Sequence, residues 1–541
     1  MGHVAAPRVR YSLTCVMLLA AAGCGQYQAG AGSGPAGDQV TEGLVGDLKK
    51  SGFQVSPGYA RLYTQQDCKQ YTYPLLKNCL ANNPAAPYVL PVMKRWPDEY
   101  VNPATANVFG RPRPGYTTTY RLDPRDAVVI YGKMPPPARY MALQTWEFSQ
   151  RGHWKADDYR KWQHTVVPEQ YLFDTIPPGD RRSERTQSVS ALGDTVNNVV
   201  MQRRSGYSFG KNRYFIITPS ATTDQAVRRA LKAQGVPDED IFTEQIPDRD
   251  AYGPVGPLGM GKDAIDFTTP FRYAVPDPGQ EQAADKWRKN PPLSVMRVRA
   301  PESAGPVRRY GPLTFEKRTG NSESHLAGDL QNLIDAVCDR TTTAARLRAD
   351  GCKQSSASSR LVDPVREYGW AGPYCRSINM NCLGDEQDAI YYLGRPPPLD
   401  SGQVYAVVDT LATETGNATY TALSVNDASL LAGVANILDT GLKGSADGYA
   451  KTVRNSGKFF VHYFTRDCQV LRGVPGWPKN CTEITPQMLP TSSDTAAEGD
   501  PALHGKFLPS LRDYIKPGTA RGPYSAELLA PRILTFTQPG K

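Results

Sequence analysis

Asp126-Ala-Val-Val-Ile-Tyr-Gly-Lys133 leads through Met134 into Pro135-Pro136-Pro137, and Asp388-Ala-Ile-Tyr-Tyr-Leu-Gly-Arg395 leads straight into Pro396-Pro397-Pro398. Each reads as a buried strand of β-branched and aromatic residues, a Gly turn, a basic residue and a stiff polyproline exit. A further strand follows each exit, Tyr140 to Phe148 and Val404 to Leu411, so both stretches read as Pro-rich hairpins. Farther along, each offers a strand running into a helix. Tyr214 to Thr218 precedes the capping-box spacing Thr222-x-x-Gln225, and Ala226, Val227, Ala230 and Leu231 then share one helical face up to Gly235. Tyr420 to Val425 precedes Asn426-Asp427 and a stripe of Leu430, Leu431, Val434, Ile437 and Leu438, which predicts a second helix.

Two related β-rich modules of α+β class follow from this internal repeat, over 45–320 and 321–541. Within the first, strand 213–219, helix 223–234, strands 240–246 and 267–275, helix 279–289 and strand 294–299 give β-α-β-β-α-β, the order of a ferredoxin-like layer with two helices on one sheet face. Leu326 to Val337 reads as a helix opening the second module. Residues after Cys481 read as an extended tail with one short helix near Leu511 to Ile515.

The N-terminus carries an address. Arg8 and Arg10 precede an apolar run from Leu13 to Ala22, too short to span a bilayer as a stable helix. The run closes on Leu18-Leu19-Ala20-Ala21-Ala22-Gly23-Cys24, which resembles the lipobox of bacterial lipoproteins. That resemblance covers about the first 25 residues. It implies cleavage of a signal over 1–23, lipidation of Cys24 and anchorage to the extracytoplasmic face of the cell membrane. Residues 24–44, rich in Gly and Ala without apolar periodicity, read as a flexible tether reaching roughly 25 Å.

Ten cysteines agree with export. Cys15 leaves with the signal and Cys24 takes the lipid. The remaining eight fall in neighbouring couples: Cys68 with Cys79, Cys338 with Cys352, Cys375 with Cys382, and Cys468 with Cys481. Local pairing within each couple is expected, since each bridge closes a short loop worth about 3 kcal/mol. The absence of C-x-x-C and the scarcity of His argue against a zinc site.

The chain has 541 residues and a formal charge of +9; losing Arg8 and Arg10 with the signal leaves +7. So mild an excess fits closeness to anionic lipid or wall polymer and gives no reason to expect nucleic acid as a partner. Arg297, Arg299, Arg308, Arg309, Lys317 and Arg318 concentrate beside Tyr310 and Phe315, and read as a solvated loop, with an anion-binding patch as the alternative. Trp146, Trp154 and Trp162 crowd with Tyr140, Tyr159 and Tyr171 among Arg151, Lys155, Arg160 and Lys161, a mix suited to a satellite core or to stacking on sugar rings or a partner.

Catalytic signals are local and incomplete. Gly206-Tyr207-Ser208-Phe209-Gly210 matches the G-x-S-x-G spacing of a nucleophile elbow, but the strand that should precede Ser208 is replaced by Gln202-Arg203-Arg204. Ser208 to Lys211 gives S-x-x-K and Ser424-Val425-Asn426 resembles the second element of penicillin-interacting enzymes, yet the third is missing and Lys50-Ser51-Gly52 stands on the wrong side. His462 shares a strand face with Phe460 and Phe464 and reads as a packed core residue, with a base as the alternative. No cofactor motif stands in a usable context. The leading reading is a non-catalytic envelope lipoprotein binding a wall component, glycan or protein partner. The alternative is an envelope hydrolase using Ser208 or His462.

Overall fold

The structure is a computed structural model that describes residues 35–76, 79–80, 82–103, 105–152, 184–350, 352, 376–377, 384–394, 399–489 and 505–540. Cys24, the pair Cys375 and Cys382, the second polyproline run, and Trp154, Tyr159, Trp162 and Tyr171 lie outside the described residues. The fold is α+β, β-rich and built as two modules.

In the first module α1 (Pro35–Lys50) is followed by β1 (Gln54–Leu62), β2 (Tyr88–Lys94), β3 (Asp126–Lys133), β4 (Ala138–Leu143), β5 (Trp146–Arg151) and β6 (Val196–Asn197). Then come α2 (Asn198–Ser205), β7 (Asn212–Thr218), α3 (Ala221–Ala233), β8 (Ile241–Gln245), β9 (Phe271–Pro276), α4 (Glu281–Lys289) and β10 (Leu293–Arg299). One sheet takes nine of these strands in the order β8-β7-β3-β10-β1-β2-β9-β4-β6. Only β7 and β8 pair in parallel, as the α3 crossover between them requires.

The β-α-β-β-α-β order is present along the chain, while β3, β1 and β2 are interleaved between its strands in the sheet. Its two helices occupy opposite faces, which corrects the expectation of a shared one. Alternation decides this. On β3, Val128 and Ile130 point into the core that holds Trp287 of α4, while Val129 and Tyr131 meet Val227 and Leu231 of α3. β3 is buried on both sides and therefore reads as an unbroken apolar run. Residues 35–44, read as part of the tether, belong instead to α1, which begins at Pro35 and buries Leu44 and Leu48 on the α3 side.

Pro135-Pro136-Pro137 does join two strands, but they are not a hairpin. β3 and β4 stand five places apart in the sheet, roughly 24 Å if it were flat. Five residue steps from Lys133 to Ala138 reach at most about 17 Å. The sheet must therefore curl, and the core inside the curl collects Val128, Val295, Met93, Phe271, Met141 and Val196 from strands all along it. Gly132 is no turn either. It sits within β3 against Leu293, and a Cβ there would lie 2.1 Å from the Pro292 carbonyl oxygen, so the close backbone approach demands glycine.

The second module opens with α5 (Ala327–Ala344) and continues with β11 (Ala389–Leu393), β12 (Gln403–Thr410), β13 (Tyr420–Asp427), β14 (Ala432–Leu438), β15 (Phe459–Thr465), β16 (Cys481–Glu483), β17 (Phe507–Tyr514) and β18 (Arg532–Thr537). Arg348–Ala349, β18, β12, β15 and β16 form one sheet; β11, β17, β13 and β14 form the other. α5 covers the outer face of the first with Leu333 and Val337. Tyr405, Val407, Phe460 and Phe464 face Leu423, Val425 and Leu511 between the sheets. The strands flanking the second polyproline run thus belong to different sheets.

Two predicted helices of this module are strands. The Leu430 to Leu438 stripe is β14, because Asp427 turns the chain by accepting from the Ser429 and Leu430 amides, at 2.8 and 3.1 Å, and Leu431 takes a φ of 52°. Leu511 to Ile515 falls mostly within β17, whose alternate residues Phe507 and Leu511 enter the inter-sheet core. Burial of alternate side chains outweighed the helical spacing in both.

Three disulfides join Cys68 to Cys79, Cys338 to Cys352, and Cys468 to Cys481, within neighbouring couples as expected. Such bonds belong to an oxidising, extracytoplasmic compartment. Among the described residues no helix is long and apolar enough to cross a membrane.

The modules dock sheet to sheet. Ala142 and Ala274 of the first meet Ala389 and Ala422 of the second, and small side chains let the sheets approach. Tyr140 lies against Tyr514, and Tyr420 and Tyr514 stack at 4.3 Å. Arg272 of β9, on the Ala274 side of its strand, reaches Glu386 and Asp388, the latter at 3.6 Å. The Tyr140 hydroxyl lies within hydrogen-bond reach of both carboxylates, at 2.8 Å from Glu386 and 3.1 Å from Asp388, with one proton to donate between them. Arg272→Leu strands these two carboxylates in a dry interface. The expected cost is about 3–5 kcal/mol, read as a lower urea midpoint. Arg272→Lys should recover little of it, since an ammonium lacks the planar fork; an unchanged midpoint in Arg272→Leu would refute this account of the interface.

Candidate functional site

Ser208 is not a nucleophile elbow. α2 ends at Gly206, whose φ of 74° closes the helix, and β7 follows, so the element order is helix, turn, strand. The Ser208 hydroxyl is buried and donates to the Asn198 carbonyl at 2.5 Å. Lys211 lies with its ammonium 3.5 Å over the Tyr207 ring. The motif holds a turn together.

His462 sits in β15, edge-on to Phe464, with Nε2 2.8 Å from the Thr482 hydroxyl and no hydrogen-bond partner for Nδ1 among the described residues. Burial pushes its pKa down to about 3. The ring is a neutral packing element. Asp467, nearby in sequence, caps the next turn through the Gln469 amide. Ser208 and His462 lie in different modules, and no described contact joins them.

Buried carboxyls are numerous, and their environments are closed. Glu244 accepts from the Thr145 amide and, at 2.6 Å, from its hydroxyl; Thr145 meets Thr269 at 2.7 Å, and Thr269 meets Tyr120 at 2.6 Å. Burial lifts Glu244 to about 8. The same cause lifts Glu147, Asp385 and Asp513 to about 7. All four are buried, so the raised values follow from desolvation inside the fold and mark no open acid–base site. Among the described residues no cluster of His, Cys, Asp and Glu is placed to hold a metal ion.

The basic cluster at 297–318 divides: Arg297 and Arg299 lie on β10 with acidic partners, while the residues after the strand form a largely exposed loop, as expected. Arg297 is fully buried against Glu99 at 2.5 Å, and Arg299 holds Asp126 at 2.6 Å. Arg309 donates to the Pro247 carbonyl, and Arg318 to the carbonyls of Glu386 and Ala389. Only Arg308 and Lys317 of the six are exposed. From the aromatic cluster, Tyr140 and Trp146 are buried at the module interface, where the Trp146 indole donates to the Asp385 carbonyl at 3.0 Å.

An open polar pocket lies where β5 ends at Arg151 and the described chain resumes at Glu184-Arg185. It has a volume of about 40 Å³ and is also lined by Tyr100, Asn102, Lys262 and Asp263. Its floor is fixed by charge. Arg185 donates to the Ser149 hydroxyl at 3.0 Å and to the carbonyls of Ser149, Ala264 and Lys262 at 2.9, 3.0 and 3.2 Å. Asp266 pairs with Arg121 at 3.3 Å and Arg185 at 3.4 Å, and accepts from Thr105 and Ser149 at 2.8 and 2.9 Å. Arg121 also holds the Tyr100 carbonyl at 2.8 Å and lies 5.1 Å from the centre of its ring. Glu99 accepts from the Arg121 amide at 2.9 Å and so links the floor to Arg297. Tyr100, 46% exposed, and the exposed pair Arg151–Asp263 form the rim. Sequence reasoning missed the pocket: its residues come from four separate segments, and Arg151 alone had drawn notice.

No family model matches the chain, and no curated protein matches it. Among solved structures, an uncharacterized protein from Burkholderia cenocepacia aligns over 93% of this chain and 88% of its own, at 9% identity and a TM-score of 0.36. A protein from Vibrio parahaemolyticus aligns over 92% and 99%, at 10% identity and a TM-score of 0.32. At these scores neither likeness bears on function.

His462 supplies a pH test. A ring neutral when folded and titrating near 6.5 when unfolded contributes stability that is present above pH 6.5 and lost as pH falls toward 3. Between pH 7 and pH 4, His462→Phe should remove about 3 kcal/mol of that acid-side loss. The measurement is the difference in urea stability between pH 7 and pH 4 in variant and wild type. Identical slopes would show that His462 is solvated.

Proposed function

We propose that this protein is an exported, lipid-anchored binding protein of the cell envelope, held by Cys24 and engaging an envelope component through the open pocket beside Tyr100. Support for the anchor comes from the lipobox-like Leu18 to Cys24 and from disulfides suited to an extracytoplasmic setting. Support for binding rests on one observation: an exposed aromatic and exposed charges of both signs converge on a floor locked by buried ion pairs. A site held this firmly loses little entropy on engaging a ligand. The hydrolase alternative has no such support, since Ser208 contacts a carbonyl and His462 a threonine.

Metabolic fatty-acid labelling should mark the wild-type protein and spare Cys24→Ala, which should move from the membrane to the soluble fraction. A wild-type protein that is unlabelled and already soluble would remove the anchor from this reading.

A further inference from the structure

We propose that the mouth of the pocket beside Tyr100 takes a neutral sugar ring of an envelope glycan, stacked on the Tyr100 ring and hydrogen-bonded by Arg151, Asp263, Glu184 and Lys262. This rests on the envelope-binding reading above and names the ligand class of the same site. Tyr100 supplies the platform. Arg121 approaches its ring and holds its backbone carbonyl, while nearly half of the residue remains open to solvent. A ring so placed is an apolar surface for the C–H face of a pyranose, and stacking of this kind needs no induced movement.

Charge decides among ligand classes. The exposed groups are Arg151 and Lys262 against Glu184 and Asp263, two of each sign. Arg185 is buried and already paired with Asp266. A phosphate or polyanionic polymer would meet two carboxylates, and a metal cation would meet a guanidinium and an ammonium. Vicinal hydroxyls, each both donor and acceptor, use both signs at once. Size points the same way. About 40 Å³ admits a hydroxyl or two and not a whole ring, so the sugar lies across Tyr100 at the mouth, with the rest of its chain in solvent.

The test uses the full mature chain in detergent micelles, titrated calorimetrically with cellotetraose, mannotetraose and chitotetraose, and with tripolyphosphate. At least one tetrasaccharide should bind saturably, weakened at least about tenfold by Tyr100→Ala and by Tyr100→Leu and retained by Tyr100→Trp. Asp263→Ala should weaken it several-fold. Leu keeps apolar bulk against Arg121, so an unaltered melting temperature in that variant separates a lost platform from a lost fold. The sugar assignment is overturned if no tetrasaccharide binds, if Tyr100→Leu binds as well as wild type, or if tripolyphosphate binds in their place. Retention on an insoluble wall fraction distinguishes the two readings. Equal retention of wild type and Tyr100→Leu sinks the pocket and spares envelope binding; no retention of wild type sinks envelope binding itself.

Discussion

A guanidinium buried between two β-sheets requires a countercharge there, and Arg272 imposes that condition on this protein. Its charge is answered by Glu386 and Asp388 from the segment leading into β11, and its faces by Tyr140 and Trp146, each ring centre 5.7 Å away. Neither carboxylate has a place in the first module, and Arg272 has none in the second. The pairing therefore makes each module's exposed sheet face complete only when the other is present. Contacts that radiate from it obey the same rule: Asn197 to the Ala520 carbonyl at 2.8 Å, Arg521 to Asp194 at 3.0 Å, and Arg139 to Asp439 at 2.8 Å. Buried ion pairs gain less stability than apolar packing would, but they discriminate strongly against misaligned partners. Here they set the register of two sheets whose contacting alanines would otherwise permit sliding.

A second network does for the pocket what Arg272 does for the interface. Arg121, Arg185, Arg297 and Arg299 stand against Asp266, Glu99, Asp126 and Asp98, four charges of each sign running from the sheet to the pocket floor. Because Arg297 and Arg299 lie on β10, the pocket's rigidity is inherited from the curled sheet. Rim groups remain solvated and free to exchange water for a ligand.

Legibility in the sequence followed contact range. Strands β3, β7 and β12 and helices α3, α4 and α5 were readable because local periodicity and capping residues agree with their environment. Neighbouring cysteines paired locally, and short loops make that readable too. Elements whose environment comes from far away were misread. β17 carries spacing that suits a helix and is a strand because β11 and β13, far earlier in the chain, flank it. β14, by contrast, was misread for a local reason, the Asp427 turn that folds it back on β13. The arginines at 297 and 299 looked like solvent-facing charge because their partners, Glu99 and Asp126, lie nearly two hundred residues earlier. Ser208 and His462 drew attention through residue type, whereas the pocket is an assembly of loop positions with no local pattern.

Sequence distance has one more consequence, and it concerns timing. β17 lies between β11 and β13, and β18 between Arg348–Ala349 and β12, so residues 507–537 occupy interior positions in both sheets of the second module. A chain synthesised from its N-terminus has delivered every strand of the first module's large sheet by residue 299. The second module must wait with gaps in both sheets until residues 507–537 have emerged. Chain order thus lets the first module's sheet be completed before either sheet of the second can close.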